Sequence, residues 1–111
     1  MLPKEERLNL KKDFKWVSSG KRAQTGNFKV FYRFGDLQTP RVGIALAKQQ
    51  FRKAHDRNRA RRLSSTVVQR LYPRLRKGLN LVIMPKVDIL KTHQEVLSQE
   101  LENVKDLFDS H

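Results

Sequence analysis

With 111 residues the chain has room for one domain, 1–111, and a hydrophobic content of 38% supplies a modest core. Against 11 Asp and Glu it carries 24 Lys and Arg, a net charge of +13 that marks a protein made to meet a polyanion and that repels itself when no anion is present. The lack of cysteine excludes disulfides and thiolate metal sites, no apolar run approaches the roughly 18 residues of a membrane span, and the charged start Met1–Arg7 lacks a secretory stretch, so a cytoplasmic location is expected.

Residues 1–12 are polar and basic without strong periodicity. Asp13–Ser18 reads as a short helix that Ser19 and Gly20 end. Asn27–Phe34 is rich in β-formers and stops at Gly35 and Asp36, and Arg41–Ala47 follows Pro40 as a second apolar strand, the two expected to pair as an antiparallel hairpin. Alternation in the first strand puts Phe28, Val30 and Tyr32 on one face and Lys29, Phe31 and Arg33 on the other, so one face can build core while the second offers a ring between cations. Phe14 and Phe31 read equally well as core or as stacking platforms. Trp16, two helix positions from Phe14, faces away from it and is expected in the core.

Between residues 52 and 62, six of eleven side chains are basic, without Gly or Pro, and an apolar series at Ala60, Leu63, Val67 and Leu71 starts inside the run at helical spacing. A folded helix is expected, apolar on one face and cationic on the other, with Asp56 capping its start and Pro73 breaking it. Arg57, Arg61 and Ser64 or Ser65 follow one line of that helix, and Asn58 and Arg62 the next. Arginine grips a phosphate with two parallel bonds where lysine acts as a point charge, and Asn58 adds a donor and an acceptor suited to a base or a 2′-hydroxyl. Leu79–Met84 before Pro85 reads as a buried strand. Thr92 and Glu95 have capping-box spacing ahead of a last helix carrying Leu97, Leu101, Val104 and Phe108. Charge divides the same way, residues 1–91 holding 23 basic and 6 acidic side chains and residues 92–111 holding 1 and 5.

The order helix, strand, strand, helix, strand, helix implies an α+β, single-domain α/β sandwich: a small mixed sheet with helices on one side and the other side open. If the last strand lies parallel to its neighbour, the basic helix is a crossover, by default right-handed. Catalytic chemistry is sparse. His55, His93 and His111 lie at no metal-ligand spacing, His55 and Asp56 are helix neighbours that do not face each other, and there is neither a Gly-rich phosphate loop nor a nucleophile elbow around Ser64–Thr66. No catalytic residue and no bound metal are expected of the protein itself.

Ala47–Leu63, holding Arg57-Asn58-Arg59-Ala60-Arg61-Arg62 and preceded by Arg41-Val42-Gly43-Ile44, resembles the signature of the protein subunit of bacterial ribonuclease P. The resemblance spans residues 7–108 and includes Lys11-Lys12-Asp13-Phe14, Phe28–Phe34 and Leu79–Lys86. It implies the non-catalytic subunit of an endoribonuclease that removes the 5′ leader of precursor tRNA, in which a partner RNA carries the active site and its Mg²⁺, with no cofactor held by the protein and no obligate protein partner. It further implies a left-handed crossover, contrary to the default. Catalytic-RNA contacts map onto Lys48, Arg52, Lys53, Arg57, Asn58, Arg59, Arg61 and Arg62. Leader contacts map onto Lys11, Phe14, Lys29 and Phe31, in a cleft between the first helix and the sheet. Gln49 stands where a second lysine is usual, Ser18 where a second cleft aromatic is common, and Ser65 where some members keep arginine. A general basic RNA-binding protein and a protein-only nuclease remain as alternatives, the latter opposed by the missing carboxylate cluster.

Overall fold

Alternation in Phe28–Phe34 does set two faces, with Phe28, Val30 and Tyr32 buried and Lys29 exposed between them. In the computed structural model, which describes residues 2–109, this segment is β2 of a four-stranded sheet ordered β1-β2-β4-β3. Strand β1 is Lys21–Gln24, β3 is Arg41–Ile44 and β4 is Leu79–Pro85. The helices are α1, Leu10–Ser18, α2, Ala54–Leu71, and α3, Gln94–Glu102. His111 lies outside the described residues.

Strands β1 and β4 flank β2 antiparallel, and β3 runs parallel to β4 with Val42 opposite Leu81. The expected hairpin between β2 and β3 is therefore not formed, because β4 lies between them. The reason is burial: along β4 every residue except Met84 is buried, and a strand apolar on both faces belongs in the centre of the sheet. Parallel neighbours need a crossover, and α2 supplies it between β3 and β4. The second strand is also shorter than Arg41–Ala47, ending at Ile44.

Helices cover both faces of the sheet, which corrects the one-sided arrangement. On the first face Phe28, Val30, Tyr32, Val42, Leu81 and Ile83 pack with Ala60, Val67, Val68 and Leu71 of α2 and Leu97 and Leu101 of α3. On the second, Val82 packs with Val17 of α1 and with Leu8, while Phe31, Ala45 and Met84 pack around them. This second face is too apolar to stay wet. The N-terminal segment contributes too: Leu8 is buried, its amide donates to the Val42 carbonyl at 3.0 Å, and Arg7 bridges Val42 in parallel.

At the C-terminal end the capping box does not form. The Thr92 hydroxyl donates instead to the carbonyls of Asp88 at 2.9 Å and of the Asn27 side chain at 3.1 Å, and His93 Nδ1 accepts from the Glu95 amide at 3.3 Å as the cap of α3. Helix α3 ends at Glu102, a 3₁₀ turn at Lys105–Leu107 follows, and Phe108 pairs with Leu75 as an isolated bridge. Gly78 has φ +80°, and a Cβ there would stand 2.8 Å from the Gly35 carbonyl oxygen, so the turn into β4 requires glycine.

Candidate nucleic-acid interface

Helix α1 starts at Asn9, whose side chain accepts from the Lys12 amide at 3.3 Å, one turn earlier than Asp13. The longer helix brings Lys11 onto the same line as Phe14, three residues on. Val17 is fully buried against the sheet, and Leu10 abuts Gly43, where a Cβ would meet Leu10 Cδ2 at 2.8 Å. This close seat turns Phe14 toward β2. The Phe14 and Phe31 rings lie 6.5 Å apart at 56°, both half-buried; Phe31 packs with the second-face cluster and Phe14 lies against it. Lys11, one helical turn before Phe14, and Lys29, two residues before Phe31 on the same strand face, are exposed. Of the four residues expected at the cleft, the structure brings the two rings into contact and places Lys29 with Phe31 in one concavity.

Register adds two side chains that the sequence reading missed. Arg22 is opposite Phe31 and Gln24 opposite Lys29, and with Ala23 these residues line one concavity. Strand β1 is four residues long and almost wholly polar, so it has no apolar alternation; its only signal is the turn-forming Thr25-Gly26-Asn27 ahead of β2. That turn is clamped. Glu100 of α3 accepts from the Thr25 hydroxyl and the Asn27 amide, both at 2.7 Å, and from Asn27 Nδ2 at 2.5 Å. Lys86 Nζ donates to the Thr25 carbonyl at 2.8 Å, and the Lys86 amide to the Asn27 carbonyl at 2.8 Å. One acid of the otherwise distant C-terminal helix therefore fixes the hairpin that carries Arg22, Lys29 and Phe31.

Trp16 is not in the core. It is 40% exposed, with the Arg33 guanidinium 5.0 Å from its ring centroid. Leaving the Phe14 side of the helix did not bury it, because the sheet-facing line of α1 is taken by Leu10 and Val17.

Helix α2 begins at Ala54 after Lys53, and no side chain caps it; Asp56 sits within the first turn, where its charge suits the helix dipole, but does not act as the cap. Ala60, Val67 and Leu71 are buried and Leu63 half-buried, as the spacing predicts. Asn58, Arg59, Arg61 and Arg62 are exposed on the opposite side, and Lys48, Arg52 and Lys53 are exposed in the preceding loop. Arg61 Nη1 reaches Asn58 Oδ1 at 3.5 Å. Arg57 behaves differently from its neighbours. It is half-buried, and its Nη1 donates to the carbonyls of Phe51 at 3.0 Å and Arg52 at 3.1 Å, so it braces the loop over the buried Phe51 ring.

Among the described residues the ion pairs are Lys21–Asp106 at 3.3 Å, Arg74–Glu102 at 3.5 Å and Arg76–Asp106 at 2.9 Å, and none takes a cation of α2 or of the cleft. Burial by itself would raise the Asp106 carboxyl; the Tyr32 hydroxyl, Lys21 and Arg76 outweigh it and hold the carboxyl below its ordinary value. Burial, with the Asp106 charge beside it, raises Tyr32. No three His, Cys, Asp or Glu side chains gather as a metal site among the described residues.

Comparison with known proteins finds one family throughout. A family model described as Ribonuclease P matches residues 2–108. A ribonuclease P protein component from Legionella pneumophila (strain Corby) is 38% identical over 88 residues, covering 78% of this chain and 68% of the relative. One from Escherichia coli O157:H7 (strain EC4115 / EHEC) is 31% identical over 103 residues, covering 92% and 86%. Among solved structures, the RNase P protein from Thermotoga maritima in complex with 1-(4-fluorophenyl)-2-thiourea superposes with a TM-score of 0.80 at 25% identity, covering 93% of this chain and all of that one. A Staphylococcus aureus RNase P protein mutant reaches 0.82 at 16% identity, over 95% of this chain and 92% of that one, a likeness of fold.

Proposed function

The chain belongs to the ribonuclease P protein family, and from that premise we propose that its two cationic surfaces hold two different RNAs. The exposed face of α2, with Asn58, Arg59, Arg61 and Arg62 and the loop residues Lys48, Arg52 and Lys53, docks on the catalytic RNA. Arg57 presents that loop. The groove between α1 and the β1–β2 hairpin, with Lys11, Phe14, Lys29 and Phe31 and now Arg22, takes the single-stranded 5′ leader of precursor tRNA. One observation carries this division: α2 packs on one face of the sheet and the Phe14–Phe31 groove opens on the other. Two polyanions can then be bound at once.

In this reading the protein cuts nothing itself; the RNA, with its Mg²⁺ ions, performs the hydrolysis in the cytoplasm. The protein lowers the repulsion between two polyanions, and counterion release adds to the affinity of each. Stacking and phosphate pairing in the groove tolerate many leader sequences. A leader also distinguishes precursor from product, since the mature tRNA has nothing to place there.

The test is reconstitution with a bacterial ribonuclease P RNA at low Mg²⁺. The protein is expected to restore 5′ cleavage of precursor tRNA; no gain over the RNA alone would overturn the proposal. Metal-dependent cleavage by the protein without that RNA would instead place the chemistry in the protein.

A further inference from the structure

Trp16 is the only tryptophan of the chain, and its position on α1 gives it an environment unlike that of a packed ring. Its guanidinium neighbour is fixed: Arg33 Nη1 donates to the Trp16 carbonyl at 3.2 Å and to the Ser19 hydroxyl oxygen at 3.1 Å, while the guanidinium carbon stands 5.0 Å from the ring centroid. The ring edge is held as well. A Cβ on Gly35 would lie 3.1 Å from Trp16 Cη2 and from Asn80 Nδ2, so a larger residue there would press on the indole edge. A large aromatic that is oriented by a cation and by a glycine, yet 40% exposed, loses little conformational entropy when something stacks on it.

What could reach it follows from the geometry of α1. At about 100° per residue, Trp16 lies about 200° around the helix from Phe14, so the two rings flank α1 on its two sides. Beneath the helix, their partners Phe31 and Arg33 are alternate residues of one strand, about 7 Å apart on the same face of β2. Over the top, opposite the buried Val17, run the exposed Lys11, Lys12 and Lys15. A chain leaving the Phe14–Phe31 groove thus meets a lysine ridge and then a second ring. Alternating cations and aromatic faces suit an unpaired nucleic-acid strand, whose phosphates follow the cations while its bases stack. A protein segment would have to be acidic to cross the same ridge.

We propose that Trp16, backed by Arg33, is a second stacking platform for a nucleobase of the single-stranded leader, reached from the Phe14–Phe31 groove across the outer lysines of α1. This rests on the leader reading of that groove and extends it to bases lying farther along the leader. Because Trp16 is the sole tryptophan, its emission reports directly on stacking.

The experiment uses holoenzyme reconstituted with a bacterial ribonuclease P RNA, in Ca²⁺ to hold cleavage, titrated with precursor tRNA carrying a short leader, a long leader, the long leader with abasic sugars at its distal positions, or no leader. Saturable quenching with the long leader, absent with the other three, is expected. Trp16→Ala should weaken long-leader binding roughly tenfold and leave short-leader and mature tRNA binding unchanged, while Trp16→Phe retains most of the affinity. Circular dichroism melts check that both variants fold, and Trp16→Phe together with the wild-type emission decides the matter if Trp16→Ala does not. Long-leader binding without a change in emission overturns the proposal, as does equal quenching by mature tRNA or by the abasic leader. The outcomes separate from the parent reading: if Phe14→Ala and Phe31→Ala abolish the preference for precursor while emission stays constant, the groove stands and the Trp16 platform falls. If neither variant changes that preference, the groove reading itself falls.

Discussion

Replacing Glu100 by alanine should loosen the leader groove from a distance. The carboxylate is half-buried and accepts three hydrogen bonds, two at 2.7 Å and one at 2.5 Å, two of them from Asn27, which is only 7% exposed. Hydrogen bonds to a charged group contribute about 1.5–3 kcal/mol each, and a buried donor left without a partner costs about 1–3 kcal/mol. These terms share one carboxylate and do not add, and water can reach part of the site, so about 2–4 kcal/mol is the expected loss. With a urea dependence of about 2 kcal/mol per molar, the unfolding midpoint followed by circular dichroism should fall by roughly 1–2 M. Glu100→Gln keeps one carbonyl acceptor and should lose about half as much. The functional signature is selective, because Glu100 holds the turn between β1 and β2 and its hydrogen bonds go to Thr25 and Asn27, not to α2. Preference for precursor over mature tRNA should drop while affinity for the catalytic RNA remains. A loss below about 1 kcal/mol, or equal damage to both RNA affinities, would refute the clamp.

Arg59→Ala removes an exposed cation of α2 and should lower the salt slope of catalytic-RNA binding by roughly 0.7–0.9, the share of a single neutralised phosphate, without altering stability; an unchanged slope would remove Arg59 from the interface. Arg57→Ala, which also frees the carbonyls of Phe51 and Arg52, should lower the melting temperature too, and Arg57→Lys should not restore it, since one ammonium does not reproduce the fork. Phe28 is fully buried, so Phe28→Ala should cost about 3–5 kcal/mol in chemical denaturation, a large part of the total stability of a small domain. Asp106 titrates below its ordinary value of 3.8 in the folded protein, so its stabilising contribution is complete above that value and is lost as pH falls through the lowered one. The stability gap between the protein and Asp106→Asn should therefore close on acidification, and a gap independent of pH would exclude the ionised carboxylate as its source.

The sequence was most legible where one period ran unopposed. Alternation in β2 and the Ala60, Leu63, Val67, Leu71 series each fix a buried face, and the structure buries those faces. Tertiary choices were illegible, because the same local pattern serves several of them. Nothing in Arg41–Ile44 says whether it pairs with the preceding strand or with a later one; the contest is decided by Leu79–Pro85, whose two-sided burial claims the centre. Strand β1 is too short and polar to carry a period, so Arg22 was invisible. Thr92 had the spacing of a cap, yet its hydroxyl is used on Asp88 and Asn27, partners that only the fold brings near. The cationic face of α2 and the ring between cations on β2 came from charge and spacing, their assignment to catalytic RNA and leader came from the family resemblance, and their placing on two faces of the sheet came from the structure.

The distribution of acids fits a protein with two RNA-facing surfaces. A chain at +13 must place its few carboxylates where they do not compete with its ligands. Glu102 and Asp106 pair with Arg74, Arg76 and Lys21, and Glu100 is spent on the Thr25–Asn27 turn. These acids neutralise cations that already have structural duties, Arg76 lying over the Phe34 ring at 4.7 Å and Arg74 over Phe108 at 5.1 Å. None of the ion pairs these acids make among the described residues involves a cation of α2 or of the groove. An acid paired with Arg59 or Lys29 would compete with every phosphate, and among the described residues no ion pair takes either. Three of the five acids in residues 92–111, Glu100, Glu102 and Asp106, thus stabilise the fold without pairing with the RNA-facing cations.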